Sequence, residues 1–365
     1  MVVRRLVALC VLGLAACAGS PSPSATGTAV ATPLPSPAAS PSPTIDATPS
    51  PTAAFGWRLL SPGGEAPPAR EDHTWTLAAD GTIAYLFGGR DGAGRALDDL
   101  WAFDLTADRW RQVGAVGPPA RFGHNAAWVD NVGLVIFAGQ SATAFYNDLW
   151  AYDPAADRWR ELPAGGDAPV ARYGSCAAVG PDGRLWISHG FTSEGSRFAD
   201  TRAYDFTTHE WTDETPAGER PVERCLHGCW WTHDGRLALY AGQTTGVPAL
   251  GDLWQLTPGP RIGTNGWSEV APGPRWPADR QLYASARWGT ATVVFGGGSA
   301  TGGFLDDTWL IRDSGRTTRL QGGGPAARSG AELIADAERG RLLLFGGRNA
   351  ADAMHDTWEL RLPPG

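Results

Sequence analysis

The chain has 365 residues, and all 30 of its basic side chains are Arg; against 38 acidic residues the formal charge is −8. An acidic chain is a poor reader of phosphate backbones, so nucleic acid is not an expected partner. Without Lys there is no Walker-type P-loop and no Schiff-base amine, which excludes P-loop hydrolysis and pyridoxal-phosphate chemistry. The 48 Gly, 29 Pro and 17 Trp point to many turns and aromatic-anchored strands rather than long helices.

Arg4 and Arg5 precede an eleven-residue apolar run, Leu6 to Ala16. A membrane span needs about 20 residues, so 1–16 reads as a signal peptide. The run ends in Leu14-Ala15-Ala16-Cys17, which resembles a bacterial lipobox, with Cys17 as the acylated first residue of the mature chain. That sequence predicts an extracytoplasmic protein anchored to the bacterial membrane by lipid, since several acyl chains exceed what stable anchoring needs. Residues 17–54 are this Cys and a Pro/Ser/Thr/Ala-rich linker in which Asp46 is the sole charge. Such a segment has nothing to bury and serves as a stalk.

Residues 55–365 form one domain built on a repeat. Arg70, Arg121, Arg172, Arg224, Arg280 and Arg328 recur at gaps of 51, 51, 52, 56 and 48. An apolar run ending in a small pair follows each, as in Leu86-Phe87-Gly88-Gly89 and Leu344-Phe345-Gly346-Gly347. Asp-(Leu/Thr)-Trp comes next at Asp99, Asp148, Asp252, Asp307 and Asp356, while the third copy reads Asp200-Thr201-Arg202. A lone Trp closes the unit at Trp110, Trp159, Trp211 and Trp267. Each unit holds short β-type runs between turn residues, and one small sheet cannot bury both of its faces, whereas a ring of sheets can. The last unit ends without a fourth strand, and Trp57-Arg58-Leu59-Leu60 stands alone ahead of the first Arg. The expected fold is all-β: a six-bladed β-propeller of four-stranded antiparallel blades, closed by an N-terminal strand completing the last blade.

Arg-x-x-His, the Gly pair, Asp-Leu-Trp-x-Phe/Tyr-Asp (Asp99 to Asp104, Asp148 to Asp153) and the closing Trp resemble kelch repeats, most of all those of muskelin, attractin and the galactose-oxidase central domain. The resemblance covers 57–365. In kelch adaptor domains, arginines at this place contact acidic peptides, which implicates Arg70, Arg121, Arg172, Arg224, Arg280 and Arg328 in binding. The competing reading has each Arg pair with a carboxylate or carbonyl and fix the loop entering its inner strand.

Three residues after the Arg, the copies read His73, His124, Ser175, His227, Tyr283 and Ala331; the histidines are expected to be structural hydrogen-bonders. Cys225, His227 and Cys229 alternate onto one strand face, but residues i and i+4 lie ~13 Å apart, too far to share one metal ion. Cys176 could join Cys225 or Cys229 of the next unit; splayed inner strands favour free thiols instead. The loops after the Gly pairs differ from unit to unit, as binding loops should. They supply Arg90, Arg95, Tyr146, Phe191, Glu194, Arg197 and Arg348, which with His227, Tyr283 and the six repeated arginines complete the candidate ligand-binding set. No catalytic set, metal or cofactor is expected. The leading reading is a monomeric, surface-anchored module that binds a protein or glycan, anionic partners among them, through its loop face. The alternative is an epimerase or mutarotase on an acidic sugar, resembling bacterial N-acetylneuraminate epimerase, with Glu194 or Glu223 as its acid/base.

Overall fold

The computed structural model describes residues 56–261 and 263–362. The expected signal peptide, Cys17 and the expected linker lie outside the described residues. Every element within them is a β-strand. After β1 (Gly56–Leu60) and β2 (Gly63–Gly64), one antiparallel meander runs through β3 (Thr74–Leu77), β4 (Ile83–Phe87), β5 (Leu100–Asp104) and β6 (Arg109–Val113). The next comprises β7 (Asn125–Val129), β8 (Gly133–Phe137), β9 (Leu149–Asp153) and β10 (Arg158–Glu161). Past β11 (Gly165–Gly166) come β12 (Cys176–Val179), β13 (Leu185–Phe191), β14 (Arg197–Asp205) and β15 (Glu210–Asp213). Then follow β16 (Gly228–Trp231), β17 (Leu237–Thr244), β18 (Val247–Thr257) and β19 (Gly266–Val270). Beyond β20 (Arg280–Gln281) lie β21 (Ala284–Trp288), β22 (Ala291–Ser299), β23 (Phe304–Arg312) and β24 (Thr317–Leu320). The chain finishes with β25 (Ser329–Asp336), β26 (Arg341–Arg348) and β27 (Thr357–Arg361).

The result is a propeller of four-stranded antiparallel blades. Hydrogen bonding groups the strands into five sheets rather than one per repeat, because β20 bonds to both β18 and β22 and joins two meanders into nine strands. β1 runs antiparallel to β27, with Trp57 opposite Leu360.

Packing between sheets follows from the repeat. Three of the closing Trp reach back to the aromatic residue before the Gly pair of a neighbouring sheet, and the fourth, Trp267, meets His189 at 6.5 Å. Trp159 lies 5.3 Å from Phe87, Trp211 5.0 Å from Phe137, and Trp110 5.1 Å from Phe345, ring centre to ring centre. Trp57 does the same to Phe295 at 5.2 Å. Such rings bury 150–250 Å² each, so these contacts carry much of the inter-sheet energy.

The Gly pair turns the chain. Its first residue has φ between 59° and 68° in every unit, and its second between 91° and 117°. The second N–H donates to the carbonyl of the next unit's Arg, as Gly89 to Arg121 and Gly347 to Arg70, both at 2.9 Å. A Cβ on Gly89 would stand 2.8 Å from the Glu71 carbonyl oxygen, which explains why the position takes no side chain.

The six repeated arginines are 0–2% exposed. Each forks onto its own Asp through two bonds of 2.5–3.1 Å. Nη1 also donates to the carbonyl of the first residue of the Gly pair, at 2.8–3.0 Å. Nε donates to the carbonyl two residues upstream, at 3.0–3.2 Å. The guanidinium thus ties three segments of a blade together, and Trp101, Trp150, Trp254, Trp309 and Trp358 donate to the same carboxylates. In the third unit Arg202 Nε takes the indole's place, 3.2 Å from Asp200. An arginine so engaged cannot hold a ligand, which corrects the expectation of a ring of anion-binding guanidiniums.

Two further expectations change. Cys176 and Cys229 form a disulfide with Cα atoms 5.6 Å apart, and Cys225 is a buried thiol. Inner strands of neighbouring units approach closely enough here for a bridge that splaying was expected to prevent. Of the three histidines at the repeat position, only His124 makes a side-chain hydrogen bond, with Thr74 Oγ1 at 2.9 Å; the ring nitrogens of His73 and His227 have no partner among the described residues. Burial holds all three well below the usual imidazole range, so they pack as neutral rings, His73 against Phe345.

Removing one member of a buried ion pair strands the other charge. Asp148→Ala, which leaves Arg121 unpaired, should lose about 3–5 kcal/mol in urea denaturation; wild-type stability would show that the fork does not hold the blade.

Candidate functional site

Strands β3, β7, β12, β16, β21 and β25 line a channel of about 540 Å³. At one end lies a belt of backbone hydrogen bonds made by the residue two after each Arg. Gly123 N–H donates to Asp72, Gly174 to Gly123, Leu226 to Gly174, Leu282 to Leu226, Gly330 to Leu282 and Asp72 to Gly330, at 2.7–3.0 Å. All six residues have φ of 50–64°, and Asp72, Leu226 and Leu282 hold it without being glycine. At Gly123 the reason for glycine is steric: a Cβ would stand 2.0 Å from the Tyr173 ring.

Below the belt, neighbouring strands are latched by side chains. Thr74 pairs with His124, Asn125 Nδ2 donates to Ser175 Oγ at 2.7 Å, and Gly228 N–H donates to the Tyr283 hydroxyl at 2.9 Å. The Cys176–Cys229 bridge serves the same purpose between β12 and β16. Tyr283 also donates to the Tyr240 carbonyl at 2.9 Å, so both of its hydrogen-bonding roles are filled.

On the loop side, the residue after each Arg reads Glu71, Phe122, Tyr173, Cys225, Gln281 and Ser329. Glu71 Oε1 lies 3.0 Å from both Arg90 Nε and Arg348 Nη1. Arg90 Nη2 stands 3.4 Å from Asp72 Oδ2, and the Arg90 guanidinium covers the Phe122 ring at 4.9 Å. Phe122 meets Tyr173 edge-on at 5.8 Å. Arg197 lies 5.4 Å over Phe191 and donates to Thr245 Oγ1 at 3.0 Å, and Phe145 packs 6.1 Å from Phe191. Charged and aromatic groups therefore alternate along an arc of the loop rim.

Burial, reinforced by the neighbouring Asp72 charge, pushes the Glu71 carboxyl up to about 7 against the pull of Arg90 and Arg348. Burial likewise raises Asp72. Inside the channel on β25, burial and the Asp72 charge raise Glu332 to about 8. Tyr173 is driven well above the usual phenol range by burial, with Asp72 adding to it.

The arc brings together Arg90, Arg348, Phe191 and Arg197 of the expected ligand set. The others fall away. Arg95 forms an exposed pair with Asp91 at 2.7 Å. Tyr146 lies under the Arg121 guanidinium at 4.2 Å, as a cover for that ion pair. Glu194 sits exposed in the Thr192–Gly195 turn. His227 and Tyr283 are buried. Glu71, Asp72, Tyr173 and Glu332 escaped the sequence reading, although one signal was present: only the first unit puts two carboxylates directly after its Arg.

The KLHDC2/KLHL20/DRC7 Kelch-repeats domain model matches residues 50–242, more than half of the chain. The chain belongs to the kelch-repeat family. Kelch domain-containing protein 3 of Homo sapiens is 28% identical over 263 residues, covering 67% of this chain and 67% of that protein. Putative adagio-like protein 2 of Oryza sativa subsp. japonica is 32% identical over 197 residues, covering 52% of this chain and 30% of that protein. The chain spans about three-tenths of the length of the adagio-like relatives it matches. The solved structure of YjhT superposes with a TM-score of 0.65 at 17% identity, over 82% of this chain and 97% of that one, a likeness of fold.

Proposed function

We propose that this chain is a surface-anchored kelch binding module that recognises a protein or glycan through its loop rim. The observation carrying this reading is the contrast within the array. The Arg–Asp fork is the same in every unit, while the arc of Glu71, Arg90, Phe122, Tyr173, Phe191, Arg197 and Arg348 draws on the first three units and the sixth. Aromatic and Arg side chains are what recognition surfaces favour, and Arg90, Tyr173, Phe191 and Arg197 are half-buried at this rim. Six units close the ring, with β1 as the outer strand of the last blade; the β1–β27 pairing and the Gly347-to-Arg70 bond support this. Deleting residues 55–60 should then destabilise the whole domain in one cooperative melt, and an unchanged melt would refute the closure.

A lipid on Cys17 holds the module at the bacterial envelope, a reading supported by the lipobox resemblance alone. Capture from native envelopes by the full chain should return a partner that Phe191→Ala plus Arg197→Ala loses. In the same cells Cys17→Ser should move the protein out of the membrane fraction. Partner capture that survives the double substitution overturns the rim, and membrane retention of Cys17→Ser overturns the anchor.

A second reading, an epimerase or mutarotase on an acidic sugar, is favoured by Glu71, a carboxyl near neutrality beside two guanidiniums. Such a group suits proton transfer next to a bound anion. Anomer exchange of N-acetylneuraminate followed by NMR should accelerate with the protein under this reading, and an unaccelerated exchange removes it.

A further inference from the structure

A second cavity, an open cleft of about 560 Å³, lies in the seam between the first two units, beside the β3–β4 and β7–β8 turns. Those turns stand at the ends of β4 and β8 away from the Gly pairs, so the cleft opens on the face opposite the loop rim. Its volume is in the range of small-molecule sites. Half-buried Trp128 stacks on Tyr85, with ring centres 6.1 Å apart and planes 12° from parallel. Ala78, Ile83 and Pro154 complete an apolar surround.

The polar groups of the cleft are uncommitted, save one. The Asp80 carboxylate is held by the Thr82 N–H at 3.0 Å and the Thr82 hydroxyl at 2.8 Å. The Tyr85 hydroxyl and the Trp128 indole N–H have no hydrogen-bond partner among the described residues, and neither belongs with the buried, unpartnered atoms such as Trp75 Nε1. The side chains of Asp130 and Asn131 are exposed and equally unbonded within those residues.

The repeat supplies a control. The positions of Tyr85 and Trp128 are filled by Trp186 and Trp231 at the seam of the third and fourth units, edge to face at 5.4 Å. There the chain satisfies the aromatic pair itself. The Trp186 N–H donates to Asp182 at 3.1 Å, and Arg184 lies 4.9 Å over the Trp186 ring while bonding Glu214 at 2.7 Å. At the first seam Ile83 stands in the place of Arg184, and nothing comparable covers the pair. The other four seams have no aromatic residue at either position.

The open groups select among ligands. No guanidinium lines the cleft, so an anion has no counter-charge. An ammonium ion only donates, and would leave the indole N–H and the Asn131 amide N–H unused. A sugar ring matches both halves: its C–H face suits an aromatic surface, and each hydroxyl donates and accepts. We propose that this cleft is a binding site for a neutral saccharide of the β-glucan type, whose flat pyranose face packs on Trp128 while its hydroxyls meet Tyr85, Asp130 and Asn131. The site lies apart from the loop rim and goes beyond the recognition proposed for that rim.

The test is calorimetric titration of the full chain with cellotetraose, with tetramethylammonium as the cationic probe. Cellotetraose should bind one to one and tetramethylammonium should not. Trp128→Ala should weaken cellotetraose at least tenfold, and Asp130→Ala, at an exposed turn, at least threefold. Phe191→Ala plus Arg197→Ala, on the rim, should leave the affinity unchanged, so that failure of the rim and failure of the cleft read differently. Should Trp128→Ala melt early, Asp130→Ala decides alone. The proposal is overturned if cellotetraose does not bind, if tetramethylammonium binds as tightly, if Asp130→Ala leaves the affinity intact, or if the rim variant rather than the cleft variants abolishes binding.

Discussion

The architecture depends on one interaction, a buried guanidinium forked onto an aspartate. In each unit the Arg sits ahead of the inner strand, the Asp ahead of the third, and the carbonyl it also binds belongs to the Gly pair at the end of the second. One side chain thus cross-links three chain segments at one end of consecutive strands. Burying an ion pair is favourable only when its remaining hydrogen-bonding capacity is satisfied. Here the Nε bond and the second Nη1 bond bring four of the five N–H groups into use, and a Trp indole, or Arg202 in the third unit, adds a donor to the carboxylate. The arrangement is costly to break and leaves no cationic edge for a ligand, so recognition has to come from residues outside the frame.

Those residues show how much of the molecule was legible beforehand. The Arg spacing, the Gly pair, Asp-Leu-Trp and the closing Trp specified an all-β propeller, because each is a local pattern repeated along the chain. The same patterns could not tell whether the guanidinium faced solvent or carboxylate; burial decided that. Tyr283 and His227 looked like departures suited to binding, yet their surroundings make them packing groups. The Cys176–Cys229 bridge was obscured because strand splay was estimated for an ideal ring, whereas the actual Cα separation is 5.6 Å.

The site was the least legible part. Glu71 meets Arg348 across 277 residues of sequence, and Asp72 meets Glu332 across the channel. No local pattern encodes the Glu71–Arg348 contact, which joins the first and last units. The usable clue was comparative: Glu71-Asp72 stands where the other units carry Phe-Gly, Tyr-Gly, Cys-Leu, Gln-Leu and Ser-Gly.

The belt at the channel's end has a consequence of its own. Its amides all point the same way round, each unit giving to the one before, so every N–H of the circle is paired and every carbonyl accepts one bond. The backbones thus stay within hydrogen-bonding reach of one another, with the Tyr173 ring packed on Gly123 and Leu226 on Gly174. No belt residue can leave the circle without breaking two of these bonds, so a change in one unit's inner loop is felt by both of its neighbours.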